Sequence, residues 1–218
     1  MSETIVAWDI ETCPLAFDAF TDAQQHRYDW ELRIRSNRRP DEPRSEASRR
    51  VRSFHPFLGW ICCISAVSGT VDGGPNEPCT WTAATPDTES VLLTRYWEAV
   101  TGFGSVRWVT FRGKAFDIPF LTARTIHHGL RPTRSDLIDT YPYRHSPHAD
   151  LSGLWPHVYS LNDLCAHVGV DSPKQEMDGS QVAAAVEDGR INKVAEYGRT
   201  EVLATFQCLQ ATWPLIDP

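Results

Sequence analysis

The stretch TIVAWDIET, residues 4–12, decides the fold predicted for this chain. Four apolar residues lead directly into Asp9 and Glu11, as in a buried strand that ends in acidic residues. Because side chains alternate along a strand, Asp9 and Glu11 project from one side of the sheet, and Trp8 and Ile10 from the other. Two carboxylates this close repel each other unless a cation lies between them. The pair therefore indicates a metal site, with solvated acids at a strand end as the alternative.

Apolar runs in the rest of the chain predict a mixed α/β architecture in a single domain, residues 1–218. The further predicted strands are Gly59–Val67, Cys79–Thr82, Val106–Phe111 and Leu137–Asp139. The predicted helices are Ser90–Val100, Phe116 to a C-cap at Gly129, Leu161–Val168, Ser180–Val186 and Ile191 to about Trp213. The order is three strands, a helix, a strand, a helix, a short strand and then helices.

An Arg-rich helical arm, about residues 15–54, is predicted between the first two strands. Its first helix spans roughly 15–34, and its second runs from Arg44 to about Ser53 after a proline-bearing break. Residues 27–52 contain nine arginines and five acidic residues. This local positive charge suits a groove that binds a single-stranded nucleic acid, with a solvated helical hairpin as the alternative.

Composition narrows the class of protein. The 218 residues have a net charge of -7, which argues against binding long duplex nucleic acid through a broad basic surface. No apolar run approaches the length of a membrane span and no signal peptide is recognisable, so we expect a cytoplasmic location without membrane association. Six cysteines without a CxxC pair are expected to be reduced thiols, and the loose group His145, His148 and His157 lacks the spacing of a zinc site.

Two later segments add groups that suit metal chemistry. Asp117 lies in a strand-to-helix connection, where an acid is also favoured by the helix dipole alone. Tyr197 and Glu201 are one helical turn apart and share a face, although Tyr197 packed in the core and Glu201 in solvent is the alternative. Gly198 within this helix costs about 1 kcal/mol relative to Ala, which predicts a crowded neighbour.

The ordered segments WDIET, FRGKAFDIP and YGRTEV resemble the DEDDy subgroup of the DnaQ-like 3′-5′ exonuclease superfamily. The chain is similar to predicted stand-alone exonucleases related to the proofreading domain of family B DNA polymerases. The resemblance covers most of the chain. It implies an RNase H-like fold, in which a mixed five-stranded sheet of three antiparallel strands followed by two parallel ones is flanked by helices.

The resemblance also implies a cofactor of two Mg²⁺ or Mn²⁺ ions and the residues that hold them. The metal ligands would be Asp9, which bridges both ions, with Glu11, Asp117 and Glu201. Tyr197 would orient the attacking water. At an unperturbed pKa of about 10 it is a protonated phenol near neutral pH, and therefore a hydrogen-bond partner rather than a base.

Further residues are predicted to bind the substrate. The backbone around Ile10 and Thr12 would hold the 3′-terminal nucleotide, and Phe116 would stack on a base, with core packing as its alternative. Arg112 and Lys114 are candidates for phosphate contacts, with solvent exposure as the alternative. Secondary candidates are Asp139 as a replacement metal ligand, and Asp178, Ser180 and Lys174, of which the first two are predicted foremost as helix caps.

The predicted function is a metal-dependent 3′-5′ exonuclease that acts on single-stranded DNA, with RNA as a second substrate class. The sequence departs from the family pattern at Glu201, where aspartate is usual, and at Arg112, where asparagine is usual. The longer Glu201 side chain motivates an alternative, a single-stranded nucleic-acid-binding module with weakened catalysis. An endonuclease with the same chemistry is a third hypothesis. The sequence leaves open whether a separate polymerase or repair protein is a partner.

Overall fold

The computed structural model describes residues 3–155, 157–173 and 177–217. In these ranges the strands are β1 (Thr4–Pro14), β2 (Gly59–Thr70), β3 (Gly74–Pro75), β4 (Cys79–Thr82), β5 (Val106–Thr110) and β6 (His148–Asp150). The α-helices are α1 (Asp22–Arg38), α2 (Arg44–Ser53), α3 (Glu89–Thr101), α4 (Asp117–His127), α5 (Leu161–Val168), α6 (Val182–Glu187) and α7 (Ile191–Ile216). None of the helices in these ranges has the length and apolar composition of a membrane span.

The strands form one mixed sheet in the order β3-β2-β1-β5-β6, and β4 also pairs with β2. The strand pairs β1/β2 and β2/β4 are antiparallel, whereas β1/β5 and β5/β6 are parallel. β3 and β4 pair with successive parts of β2, so they act as one interrupted edge strand. The predicted RNase H-like arrangement, antiparallel strands followed by two parallel ones, is confirmed, and the interruption accounts for the sixth strand.

The last strand of the sheet was predicted at Leu137–Asp139, and this prediction is wrong. The strand is β6, which pairs with β5 from Trp108 to Thr110, while Leu137 lies buried in a turn. The HAD sequence of β6 looks too polar for an enclosed strand. Its His148 ring is nevertheless satisfied there, because it is 2.9 Å from the Thr110 hydroxyl and 3.1 Å from the Leu137 carbonyl.

Both faces of β1 are covered, which explains its nearly continuous burial. Trp8 and Ile10 belong to the core that contains Tyr96 of α3. Ile5 and Ala7 belong to a second core, formed largely with α5 and α7. The alternation predicted from the sequence is therefore confirmed, and Asp9 and Glu11 continue the row of side chains that faces α7.

The arm consists of α1 and α2, which pack around a small core of their own with Tyr28 and Leu58. Helix α2 has the predicted bounds. Helix α1 begins later than predicted, because Thr21 and Gln24 form a capping box that starts it at Asp22. A short 3-10 turn, Phe17–Ala19, occupies the region where the sequence predicted the first turns of the helix.

Candidate active site

Three carboxylates meet where β1 passes under α7. Asp9 and Glu11 come from the strand, Glu201 comes from the helix, and one oxygen of each lies within 4.8 Å of the others. Glu11 is buried, and Asp9 and Glu201 are half-buried. The structure thus brings together two of the segments that the sequence analysis singled out, at one end of the sheet.

The close approach of α7 to the sheet depends on Gly198. A Cβ at this position would lie 2.5 Å from the Ser65 hydroxyl oxygen, far inside van der Waals contact. Ser65 is the β2 residue paired with Asp9. The predicted crowded neighbour of Gly198 is therefore confirmed, and it is the strand next to the candidate site.

The regular pairing of β1 is interrupted directly after Glu11. The register with β2 shifts between Glu11 and Thr12, as in a β-bulge. Beyond the shift, the buried Thr12 hydroxyl donates a 2.8 Å hydrogen bond to the Ser53 carbonyl at the end of α2. The end of the carboxylate-bearing strand is thereby attached to the arm.

Asp117 occupies the first turn of α4 and lies beside β1. Its Oδ1 accepts a 3.1 Å hydrogen bond from the backbone amide of Ile10, between the two acidic residues of the strand. Burial raises the pKa of Asp117 to about 8, although the Ile10 amide acts in the opposite direction. The carboxylate stands outside the group of three, yet its charge is among the influences that raise the pKa of Asp9.

The electrostatics of the site are dominated by like charges. Burial, followed by the charge of Glu201, raises the pKa of Asp9 and of Glu11 well above the usual range of a carboxyl group. Charges of the other acids add to the effect on Asp9. A set of hard oxygen donors that repel one another in a buried position fits Mg²⁺ or Mn²⁺. The residues present therefore suit the ions that the sequence predicted.

Tyr197 lies one turn before Glu201 and contacts it directly. Its hydroxyl donates a hydrogen bond of 2.5 Å to Glu201 Oε1. Burial, with the charge of Glu201, raises the pKa of this phenol above its ordinary value. The group is therefore held in its protonated, hydrogen-bond-donating form, as the sequence analysis expected of it.

Asp150, which the sequence analysis missed, organises the turn that leads to Asp117. Its carboxylate accepts hydrogen bonds from the backbone amides of Arg112, at 2.8 Å, and Lys114, at 3.0 Å. Arg112 has a φ of 65°, a conformation that asparagine adopts more readily than arginine, and its side chain is exposed. The Asp150-Leu-Ser152 sequence, in which the aspartate accepts from the Ser152 amide, was the available signal.

Lys114 has a different environment from the one expected of a phosphate-binding residue. Its ammonium donates to the carbonyls of Tyr141 and Arg144, both at 2.6 Å, and its side chain is buried. Asp139 lies 3.9 Å from the same ammonium and outside the group of three carboxylates. Both residues hold the loop that follows α4, and a phosphate contact by Lys114 stays a prediction that would require these bonds to open.

The remaining predicted residues lie around the site. Phe116 is half-buried and packs edge-to-face on Phe54 of the arm, with ring centroids 5.8 Å apart. Asp178 accepts from the Ser180 amide at 2.8 Å and caps a 3-10 turn, so its predicted capping role is confirmed, whereas Ser180 lies inside that turn and is not a cap. Lys174 lies outside the described residues.

Comparison with known proteins supports the fold and shows the family. A family model described as "Predicted 3'-5' exonuclease related to the exonuclease domain of PolB" matches residues 58–210, a span that contains Asp117, Tyr197 and Glu201 but not β1. The family B DNA polymerase from the hyperthermophilic archaeon Pyrobaculum calidifontis superposes with a TM-score of 0.65 at 16% sequence identity. That match covers 97% of this chain and 25% of the polymerase, so the chain spans about a quarter of the polymerase's length. No curated protein sequence matches the chain significantly.

Proposed function

Because this chain belongs to the family of predicted 3′-5′ exonucleases related to the exonuclease domain of PolB, we propose that it hydrolyses single-stranded nucleic acid from the 3′ end. Single-stranded DNA is the first proposed substrate and RNA the second. The observation that carries the proposal is the meeting of Asp9, Glu11 and Glu201 within 4.8 Å. Three carboxylates in this arrangement are suited to bind a cation, and the hydrolysis of phosphodiesters uses divalent ions.

The metal ligands in this proposal are Asp9, Glu11 and Glu201, with Asp117 beside them. Divalent ions held there would supply Lewis-acid stabilisation of the charge on both the attacking and the leaving oxygen. The chain itself contributes the placement of the donors. The Ile10 amide orients Asp117 through its 3.1 Å hydrogen bond, and Gly198 allows α7 to bring Glu201 to the strand.

Tyr197 would orient the attacking water. Its hydroxyl is a donor to Glu201, and burial raises the pKa of the phenol, so it does not act as a general base near neutral pH. In this role the phenol oxygen would accept a hydrogen bond from the water and would take up no proton. Tyr197→Phe would then slow hydrolysis and leave metal binding intact.

Substrate binding is proposed for residues that border the carboxylates. Phe116 precedes Asp117 and presents its ring beside the arm, where it can stack on a base. The exposed Arg112 side chain is available to a phosphate. The Ile10 amide and the Thr12 hydroxyl already have partners, so contacts of these two residues with the 3′-terminal nucleotide would use their other backbone groups.

The test is hydrolysis of 5′-labelled single-stranded DNA and RNA with Mg²⁺ or Mn²⁺. Products should shorten stepwise from the 3′ end, and Asp9→Ala should abolish the reaction. Asp139→Asn is the matched control, because Asp139 pairs with Lys114 outside the carboxylate group and its loss should leave hydrolysis in place. Degradation that persists in Asp9→Ala, or in excess EDTA, would contradict the proposal. Cleavage of a circular single strand would identify an endonuclease instead.

A second candidate function is a nucleic-acid-binding module with weakened catalysis. The specific observation in its favour is Glu201, which is one methylene longer than the aspartate usual in the family. Under this hypothesis the protein binds single strands with little turnover, and Glu201→Asp raises the rate of hydrolysis. If Glu201→Asp instead lowers the rate, the glutamate is the functional ligand and the module hypothesis fails.

A further inference from the structure

A groove lies beside the candidate active site, between α2 of the arm and the turn that precedes α6. Its volume is about 580 Å³, and Thr12, the residue after Glu11, forms part of its wall. The arm contributes Arg49, Arg50 and Phe54 to the lining. The groove is therefore continuous with the end of the strand that carries the carboxylates.

A second depression lies on the other side of the same helix. It has a volume of about 430 Å³, is lined by residues of both arm helices, among them Arg38 and Arg39, and shares Arg50 and Phe54 with the first. The two depressions meet at the C-terminal turn of α2. Together we call them the arm groove, defined by Arg38, Arg39, Arg49, Arg50 and Phe54.

The lining of the two depressions contains the acids Glu31, Glu46 and Asp178 beside five arginines, so the positive charge of the arm groove is only partly neutralised by the protein. Arg50 is 2.8 Å from Glu46, and Glu42 forms a 2.6 Å ion pair with Arg35, so these acids already have cationic partners. Arg38, Arg39 and Arg49 are exposed and make no side-chain ion pair with any residue in the described ranges. Free guanidinium groups along a groove are suited to a chain of phosphates.

An exposed aromatic ring lies where the two depressions meet. The side chain of Phe54 is 52% exposed, and its ring packs edge-to-face on Phe116, the residue before Asp117. An aromatic face next to free arginines is the combination that binds single-stranded nucleic acids without sequence specificity. Phe54 thus connects the arm groove with the candidate active site.

We propose that the arm groove binds the part of the single strand on the 5′ side of the scissile phosphate, with Arg49 contacting a phosphate and Phe54 stacking on a base. The direction rests on the proposed exonuclease function. In a 3′-5′ exonuclease only the terminal nucleotide lies beyond the scissile bond, so nucleotides that extend away from the carboxylates belong to the 5′ part. The arm is then an element that favours long single strands over short ones.

Binding of a labelled twelve-nucleotide single strand in EDTA tests this proposal without hydrolysis. Arg49→Ala should weaken binding on the order of tenfold and reduce the slope of log K against log salt by about 0.7. Phe54→Leu, which keeps an apolar contact with Phe116 and removes the stacking face, should weaken binding with an unchanged slope. Arg33→Ala is the control, because Arg33 is an exposed arginine of the same arm that lines neither depression. An unchanged slope in Arg49→Ala, or an equal loss in Arg33→Ala, overturns the proposal.

Rates of hydrolysis distinguish a failure of the arm-groove proposal from a failure of the proposed function. The ratio of kcat/KM for the twelve-nucleotide strand to that for a dinucleotide should fall on the order of tenfold in Arg49→Ala. If the wild-type protein hydrolyses neither substrate, the proposed function fails, while the binding measurement still decides on the arm groove. If it hydrolyses both and the ratio is the same in Arg49→Ala, the arm groove is wrong and the proposed function stands.

Discussion

Two acidic sites in this protein differ in the charges that surround them. One is the carboxylate of Glu89, and the other is the group of Asp9, Glu11 and Glu201. Glu89 is completely buried, and its carboxylate accepts from Arg124 at 2.6 Å, from the Ile61 amide at 2.7 Å, and lies 2.8 Å from His128. For Asp9 and Glu11 the main charged neighbours in the described part of the chain are other acids, and burial together with these charges raises the pKa of both. Within the described residues, Glu89 is thus matched by a cation, whereas the charged groups that most influence Asp9 are other acids.

This difference distinguishes an acid that stabilises the fold from acids that are suited to bind a metal ion. An ion pair such as Glu89–Arg124 is complete within the chain and holds α3 against α4. A group of acids whose mutual repulsion opposes folding is retained where an external cation binds. The two groups should therefore respond with opposite signs to the loss of one charge.

The largest expected effect on stability is the loss of the ion pair between Glu89 and Arg124. Arg124→Met leaves Glu89 buried without its main partner and should lower the free energy of unfolding by about 3 to 5 kcal/mol. Denaturant unfolding of the two proteins measures it. Adding Glu89→Gln, which keeps an acceptor for the Ile61 amide and removes the charge, should recover part of the loss. A double variant as unstable as Arg124→Met would show that packing, not charge, holds this group together.

The next effect concerns the cation itself. Mg²⁺ or Mn²⁺ at about 100 times its dissociation constant should stabilise the folded protein by about 2.7 kcal/mol. For a chain of this size that raises the melting temperature by roughly 5 to 10 °C. The shift should disappear in Asp9→Asn and persist in Asp139→Asn. An equal shift in all three proteins would place the bound ion away from Asp9.

His148 is a third case, in which a titratable side chain is buried and the hydrogen-bond partners of its ring carry no charge. The Leu137 carbonyl can only accept, so Nδ1 carries the proton and Nε2 accepts from Thr110. Burial lowers the pKa of His148 to about 4. Since the unfolded chain binds this proton below about pH 6.5, stability is fully present above that pH and falls as the pH drops toward 4.

Between pH 7 and pH 5 the loss attributable to His148 should be about 2 kcal/mol. Urea unfolding at the two pH values measures it, as the difference between the wild-type protein and His148→Gln. Equal pH dependence in the two proteins would mean that other groups account for the acid sensitivity.

The smallest effect has the opposite sign to the first. In EDTA, Asp9→Asn removes one charge from the group of three carboxylates, relieves its repulsion with the other acids, and should raise the free energy of unfolding by about 1 kcal/mol, a size common for stabilising substitutions. The measurement is denaturant unfolding with Thr82→Ala, a change at an exposed residue of β4, as the reference for an unrelated substitution. A clear destabilisation by Asp9→Asn would contradict the view that its charge opposes folding.

The sequence predicted those parts of the fold that rest on strong local patterns. The apolar run before Asp9 required a buried strand, and helix α2 was predicted within its observed bounds. Strand β6 was not predicted because His148 and Asp150 are polar. Their partners, Thr110 and the 112–114 turn, are distant in sequence. A local sequence pattern does not show that polar side chains will find such distant hydrogen-bond partners.

The candidate site was predictable to a similar extent. The grouping of Asp9, Glu11 and Glu201 was expected from the family resemblance, which also included Asp117, and the crowding at Gly198 from its position in a helix. The buried state of Lys114 was not, because it depends on two carbonyls of a loop that has no regular pattern. The roles of these residues in catalysis stay predictions.

The contact between Gly198 and Ser65 constrains the substitutions that can accumulate at residue 198 during evolution. Every missense change of a glycine codon adds at least one carbon atom, and here that atom would lie 2.5 Å from the serine hydroxyl oxygen. A new side chain at residue 198 therefore requires the Ser65 hydroxyl to move, and Ser65→Gly would make the room. The two positions are separated by more than half of the chain, yet descendants that change residue 198 should carry a change at residue 65 more often than those that keep Gly198.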